Sequence, residues 1–144
     1  MDLQTLSDRA EISDVLTRYT RAIDTGEWDL LDTVFTPDAQ IDYTESGGIA
    51  ASYDVVAPWL AEMLPAFFPK RMHTLGQLDI RLDGDDPDAA TCSAYFHNPM
   101  PMADGAGGEK IVEVGGIYHH TLVRTADGWL SRHLHEQVVW KRGL

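Results

Sequence analysis

The chain has 144 residues, 44 per cent of them hydrophobic and 24 per cent charged, with a formal net charge of −12. This length makes one domain, residues 1–144, able to bury about two-thirds of its unfolded surface and to enclose a small cavity. The acidic balance excludes nucleic acid and anionic membrane as partners, since both need a basic face, and a single cysteine, Cys92, excludes an internal disulfide and fits a reducing cytoplasm.

The opening residues, MDLQTLSDRAEI, carry acids where a secretion signal needs Lys or Arg, and no apolar run of membrane-spanning length follows. A cytoplasmic protein is expected. From Thr5 to Ile23 the apolar positions Leu6, Ala10, Ile12, Val15, Leu16, Tyr19, Ala22 and Ile23 recur at helical steps. Ser7 or Thr5 is placed to cap the start, and Thr25-Gly26 to end the helix. Trp28 to Phe35 repeats the pattern as a short second helix, Thr36-Pro37-Asp38 reads as a turn, and QIDYT alternates as a strand with Ile41 and Tyr43 on one face. A third helix runs from Tyr53 to Phe68, capped by Ser52 and ended or kinked by Pro65.

The second half reads as sheet. Residues 71–82 form a strand closed by Asp83-Gly84-Asp85, and Ala89 to Asn98 form another. NPMPMADGAGGE reads as a long loop and candidate pocket lid. Lys110 to Thr125 and Trp129 to Trp140 pair through a hairpin at Ala126-Asp127-Gly128. Helices followed by antiparallel strands are the α+β signature.

Three segments in this order, RYTRAIDTGEWDLLDTVFTPDAQIDY, MHTLG and GGIYHHTLVRTADGW, resemble the nuclear transport factor 2-like superfamily, within it the SnoaL-like and scytalone dehydratase-like branch. The resemblance covers nearly the whole chain. It implies a curved antiparallel sheet wrapped round N-terminal helices, a cone with an apolar pocket inside. It also implies an Asp–His dyad at Asp24 and His73, with pocket tyrosines at Tyr43 and Tyr19. His119 falls where scytalone dehydratase has an amide side chain, and Arg132 near a last-strand arginine, although WLSRH is one residue short of that spacing.

The dyad's chemistry is proton abstraction. A carboxylate fixes the tautomer of an imidazole and stabilises the imidazolium formed when the ring takes a proton. With tyrosine donors on a carbonyl or leaving oxygen, such a base drives elimination from a hydrophobic, oxygenated cyclic molecule without a cofactor. The same groups serve an isomerase or cyclase, and the fold also carries non-catalytic binding modules. Each residue has a plainer reading. Asp24 suits ordinary helix punctuation, and Tyr19 lies on the core stripe. Strict alternation puts His73 opposite Leu78, Ile80 and Leu82, unless a bulge near Gly76 shifts the register.

His97, on the Ser93-Tyr95-His97 face, is a further pocket candidate. His133 and His135 share a strand face, but the helical first half and missing glycine and carboxylate spacing argue against a cupin-type metal site. No metal is expected. The last strand carries Val138, Val139 and Trp140 near its end, on a sheet that three helices cannot cover on both faces. A homo-oligomer, dimer or trimer, is expected.

Overall fold

The computed structural model describes residues 1–144. Helix α1 spans Leu3–Thr25, and Asp2 caps it by accepting the Thr5 amide at 2.8 Å. The helix starts before Thr5 and Ser7 because Asp2 already supplies the side-chain acceptor that the first turn needs. Its stripe of Ile12, Val15, Leu16, Tyr19, Ala22 and Ile23 is buried, and Gly26 ends it with φ 74°, a left-handed conformation that costs glycine little. Trp28–Thr33 forms a 3₁₀ turn rather than a second α-helix. Strand β1 follows at Phe35–Asp42, a second 3₁₀ turn at Thr44–Ser46, strand β2 at Ala50–Ser52 and helix α2 at Tyr53–Phe67. Pro65 lies in the last turn of α2, which stops two residues later.

Strands β3 (Thr74–Leu82), β4 (Ala89–Ala103), β5 (Glu109–Thr125) and β6 (Gly128–Arg142) complete one open, curved sheet in the order β2-β1-β6-β5-β4-β3. The fold is α+β, with the sheet wrapped on the N-terminal helices. All neighbours are antiparallel except β1 and β6, which run parallel. The two are separated in sequence by β2, α2 and β3 to β5, a connection long enough to reverse direction and return.

Further sequence expectations change here, and Thr36-Pro37-Asp38, expected as a turn, lies within β1. NPMPM is strand, not lid: β4 continues to Ala103, with Asn98 and Met100 turned inward and buried. Pairing with β3 stops at Thr74 opposite His97. Pro99 and Pro101 therefore sit where β4 has only β5 beside it, and an edge tolerates their missing N–H groups. In β3 the register shifts between Leu75 and Leu78. That bulge lets Leu75 share the inner side with Leu78, Ile80 and Leu82, all packed on the core, and keeps the residue two before Leu75 on that side as well.

Asp8 ties α1 to the β5–β6 hairpin. Its carboxylate accepts two bonds from Arg124, at 2.8 and 3.0 Å, and one from the Trp129 indole at 3.1 Å. Those donors hold its pKa down at about 2. A depressed carboxyl stabilises the fold above its unfolded value near 3.8 and loses that contribution as pH falls through about 2. Asp8→Asn should cost about 2–3 kcal/mol at pH 7, and the deficit should shrink in urea melts run toward pH 2.

Candidate active site

The end of α1 presents Asp24 one residue before its last. A carboxylate there faces the negative end of the helix dipole, an unfavourable place for an acid. The structure compensates it with two donors from one residue. The His73 backbone N–H bonds Oδ2 at 2.7 Å and the His73 ring Nδ1 meets Oδ1 at 2.6 Å. A carboxylate only accepts, so Nδ1 carries the hydrogen, and in the neutral ring Nε2 then keeps its lone pair. Nothing in the protein bonds to Nε2. The His73 side chain is 4 per cent exposed, that of Asp24 19 per cent.

Arg71 lays this segment down. Its Nε donates to the Ile23 carbonyl at 2.7 Å and its Nη1 to the Phe68 carbonyl at 2.8 Å, joining the C-terminal ends of both helices. Its guanidinium also lies 5.6 Å from the Trp28 ring centre. His73 then precedes β3 rather than lying within it.

His73 lines a cavity of about 220 Å³, with Tyr19, Tyr43, Tyr118, Asn98 and Glu136 among its polar walls. Trp59, Leu60, Met63, Leu64 and Phe67 of α2 supply much of the apolar wall. The Tyr19 and Tyr43 hydroxyls are 2.5 Å apart. One donates to the other, so the accepting hydroxyl retains a hydrogen to give elsewhere. Burial pushes both phenols, and Tyr118, well above their ordinary value near 10. They serve as donors and not as bases. Gly48 keeps this corner tight, since a Cβ there would stand 2.8 Å from the Tyr43 Cβ and 2.9 Å from Trp59.

Other predicted residues lie elsewhere. His119 points to the outer face, bonded to Ser93 at 3.0 Å and Gln137 at 2.7 Å. His97 shares that face, its ring 5.7 Å from Trp140. Arg132 is the extra residue where β6 slips between Ser131 and His133, and it is exposed. Strand parity turns the two histidines outward and the bulge expels the arginine, so none of the three reaches the cavity. His120 is inward but sealed in the core, Nδ1 on Ser131 at 2.8 Å, and burial pulls its pKa down to about 3.

Sequence reading missed Glu136, Asn98 and Tyr118. The signal was period two: Leu134, Glu136 and Val138 fall on one side of β6, and an acid among them stands out. Glu136 is 6 per cent exposed, and Oε1 has no partner. Burial pushes its carboxyl up to about 7, an effect the Ser46 and Tyr118 hydroxyls partly offset. Asn98 Oδ1 is likewise buried and unpartnered, while Nδ2 contacts the Met100 sulfur at 3.5 Å.

A SnoaL-like domain model matches residues 4–135. The chain belongs to this family. The Mycobacterium tuberculosis protein Rv2910c is 41% identical over 124 residues, covering 86% of this chain and 80% of its own. Two solved structures share the nuclear transport factor 2-like fold of this SnoaL-like domain. The hexachlorocyclohexane dehydrochlorinase LinA-type3 of Novosphingobium barchaimii superposes with a TM-score of 0.84 at 16% identity, covering 100% of this chain and 94% of its own. A scytalone dehydratase-like protein of Novosphingobium aromaticivorans gives 0.82 at 15%, with 99% and 91% covered.

The buried acid of this SnoaL-like domain has a stability signature. Its folded pKa lies above the unfolded value of 4.5, so the folded state holds the proton more tightly. Stability should fall as pH rises from about 4.5 to about 7, by an amount on the order of 3 kcal/mol. Glu136→Gln should flatten that slope in thermal or urea melts, and an unchanged profile would assign it to other groups.

Proposed function

We propose that this protein is a cofactor-independent lyase that eliminates a small molecule from a hydrophobic, oxygenated ring, with the His73–Asp24 pair as general base. The observation that carries this reading is the grip of Asp24 on both N–H groups of His73. It leaves Nε2 as a bare base in the wall of an apolar cavity. Nε2 takes a proton from a carbon next to a carbonyl, and the imidazolium that results faces the Asp24 carboxylate and the negative end of α1. The tyrosine pair donates to the oxygen on which charge develops.

Cavity size limits the substrate. An apolar cavity of about 150 Å³ accepts a benzene molecule, so about 220 Å³ suits one substituted six-membered ring. The dehydrochlorinase and scytalone dehydratase-like neighbours are named for eliminations. At their identities they support the fold alone, and the dyad geometry has to carry the chemistry.

Deuterium exchange tests the base without requiring the natural substrate. Wild-type protein should exchange the hydrogens beside the carbonyl of cyclohexanone in D₂O, read by NMR. His73→Ala should slow this by roughly 10²-fold or more, and Asp24→Asn should lose much of the same factor while keeping the shape. Tyr43→Phe should cost about tenfold to a hundredfold through one lost donor. Near-full exchange by His73→Ala would remove the dyad and leave a binding module.

The assembly proposal concerns the outer face. Tyr95, Val139 and Trp140 stand 49, 61 and 43 per cent exposed there, and we propose that a second copy covers them. Light scattering at micromolar concentration should give a dimer or trimer mass, and a monomer would refute it.

A further inference from the structure

The dyad and the tyrosines explain how a proton is removed, but they leave one wall of the cavity unused. Glu136 pairs in register with Tyr118 across β5 and β6. On its other side, Tyr43 continues from β1, whose Asp42 is in register with His135. Glu136 therefore stands in the sheet between two cavity tyrosines. It makes no salt bridge, and its Oε1 has no hydrogen-bond partner, although the Ser46 and Tyr118 hydroxyls stand near the carboxyl. The groups whose charge or hydroxyl it feels are Tyr19 from α1, Tyr43, Glu45 and Ser46 from the segment joining β1 to β2, Tyr118 from β5, and His135 on its own strand. His135 is engaged on the other side of the sheet, 2.6 Å from Glu45. Arg71 is committed to helix carbonyls. Lys141 also lines the cavity but makes no salt bridge with Glu136; a carboxyl buried this far without an ion-pair partner is cheaper to keep protonated than ionised, and its pKa of about 7 agrees.

Resting on the elimination reading above, we infer that Glu136 is the proton donor to the leaving oxygen, so that the substrate class is a cyclic β-hydroxy ketone that loses water. Hydroxide is a poor leaving group and needs a proton as its C–O bond breaks. A halide needs none, and a protonated carboxyl would be idle in a dehydrohalogenase. In the step, His73 Nε2 takes the hydrogen from the carbon next to the carbonyl, and the C–H electron pair becomes the new C=C bond. The C–O bond breaks toward oxygen, which collects the Glu136 proton and departs as water. The imidazolium proton then returns to the Glu136 carboxylate through that water, which restores both groups. Asn98 Oδ1, a further unpartnered acceptor of the cavity, accepts from the substrate hydroxyl before it leaves.

Two measurements test this, and the cyclohexanone exchange assay separates their failure from failure of the base. In the first, the infrared difference between wild type and Glu136→Gln at pH 6 should contain a protonated-carboxyl band. Saturating 3-hydroxycyclohexanone should move that band, and cyclohexanone should leave it in place. A missing band, or one that the hydroxy ketone does not move, overturns the inference whether or not His73 is a base. In the second, wild type should release water from 3-hydroxycyclohexanone, and Glu136→Gln should slow this by about 10²-fold. Loss of acetate from 3-acetoxycyclohexanone, which departs without a proton, should slow at least tenfold less. Equal losses mark Glu136 as structural. Exchange without any water release in wild type also overturns the inference. Absent exchange in wild type with a band that moves sinks the dyad and keeps Glu136 as a hydroxyl-binding acid.

Discussion

The geometry of the cavity depends on Asp24 holding His73 by two N–H groups at once. A single hydrogen bond to the ring would let the imidazole swing on its side chain. The second bond, to the backbone amide, fixes where the main chain enters β3 and hence where the ring starts. Because the acid sits at the unfavourable end of a helix dipole, its position makes little sense for helix stability alone. Arg71 reinforces the placement from the other direction by bridging the ends of α1 and α2. Two helix termini and a strand entry thus converge on one imidazole.

The same desolvation acts on the cavity's three buried tyrosines and its buried acid, and in the same direction. It keeps Tyr19, Tyr43 and Tyr118 protonated and therefore donors. It lifts Glu136 to about 7, where a carboxyl can still donate a proton. The dyad's acid has different surroundings: it is partly exposed, 19 per cent at the side chain, and it accepts two N–H bonds. A buried acid with no N–H donor and a partly exposed acid with two thus stand in one domain, set apart by environment.

Much of this was legible in the sequence. The apolar stripe of α1 turns Tyr19 inward, and Thr25-Gly26 marks the helix end beside which Asp24 stands. His73 was harder, because its side of the sheet depends on a bulge that alternation alone does not locate. Gly76 hinted at it, and the shift between Leu75 and Leu78 put Leu75 inside. His97 and His119 were legible as strand residues, but which side of the sheet faced the helices depended on register with neighbouring strands. Arg132 was lost to a second bulge. The parallel pairing of β1 with β6 is a long-range contact that no local pattern encodes. Glu136 is masked in the sequence by His133 and His135, which fall on the outward side of a stretch whose inward residue is the acid.

The unpartnered atoms of the cavity indicate where the molecule accepts a stability cost. Asn98 Oδ1 and Glu136 Oε1 are buried without hydrogen bonds, and each such group costs about 1–3 kcal/mol. A fold selected for stability alone would have placed Leu or Val at both positions, since each lies on an inward strand row between apolar neighbours. The compensating interactions lie at the other end of α1, where Asp8, Arg124 and Trp129 satisfy one another. Helix α1 therefore joins a fully satisfied polar cluster at its start to an unsatisfied one at its end. A ligand whose hydroxyl supplies the missing hydrogen bonds recovers that cost on binding. A purely apolar ring of the same size does not.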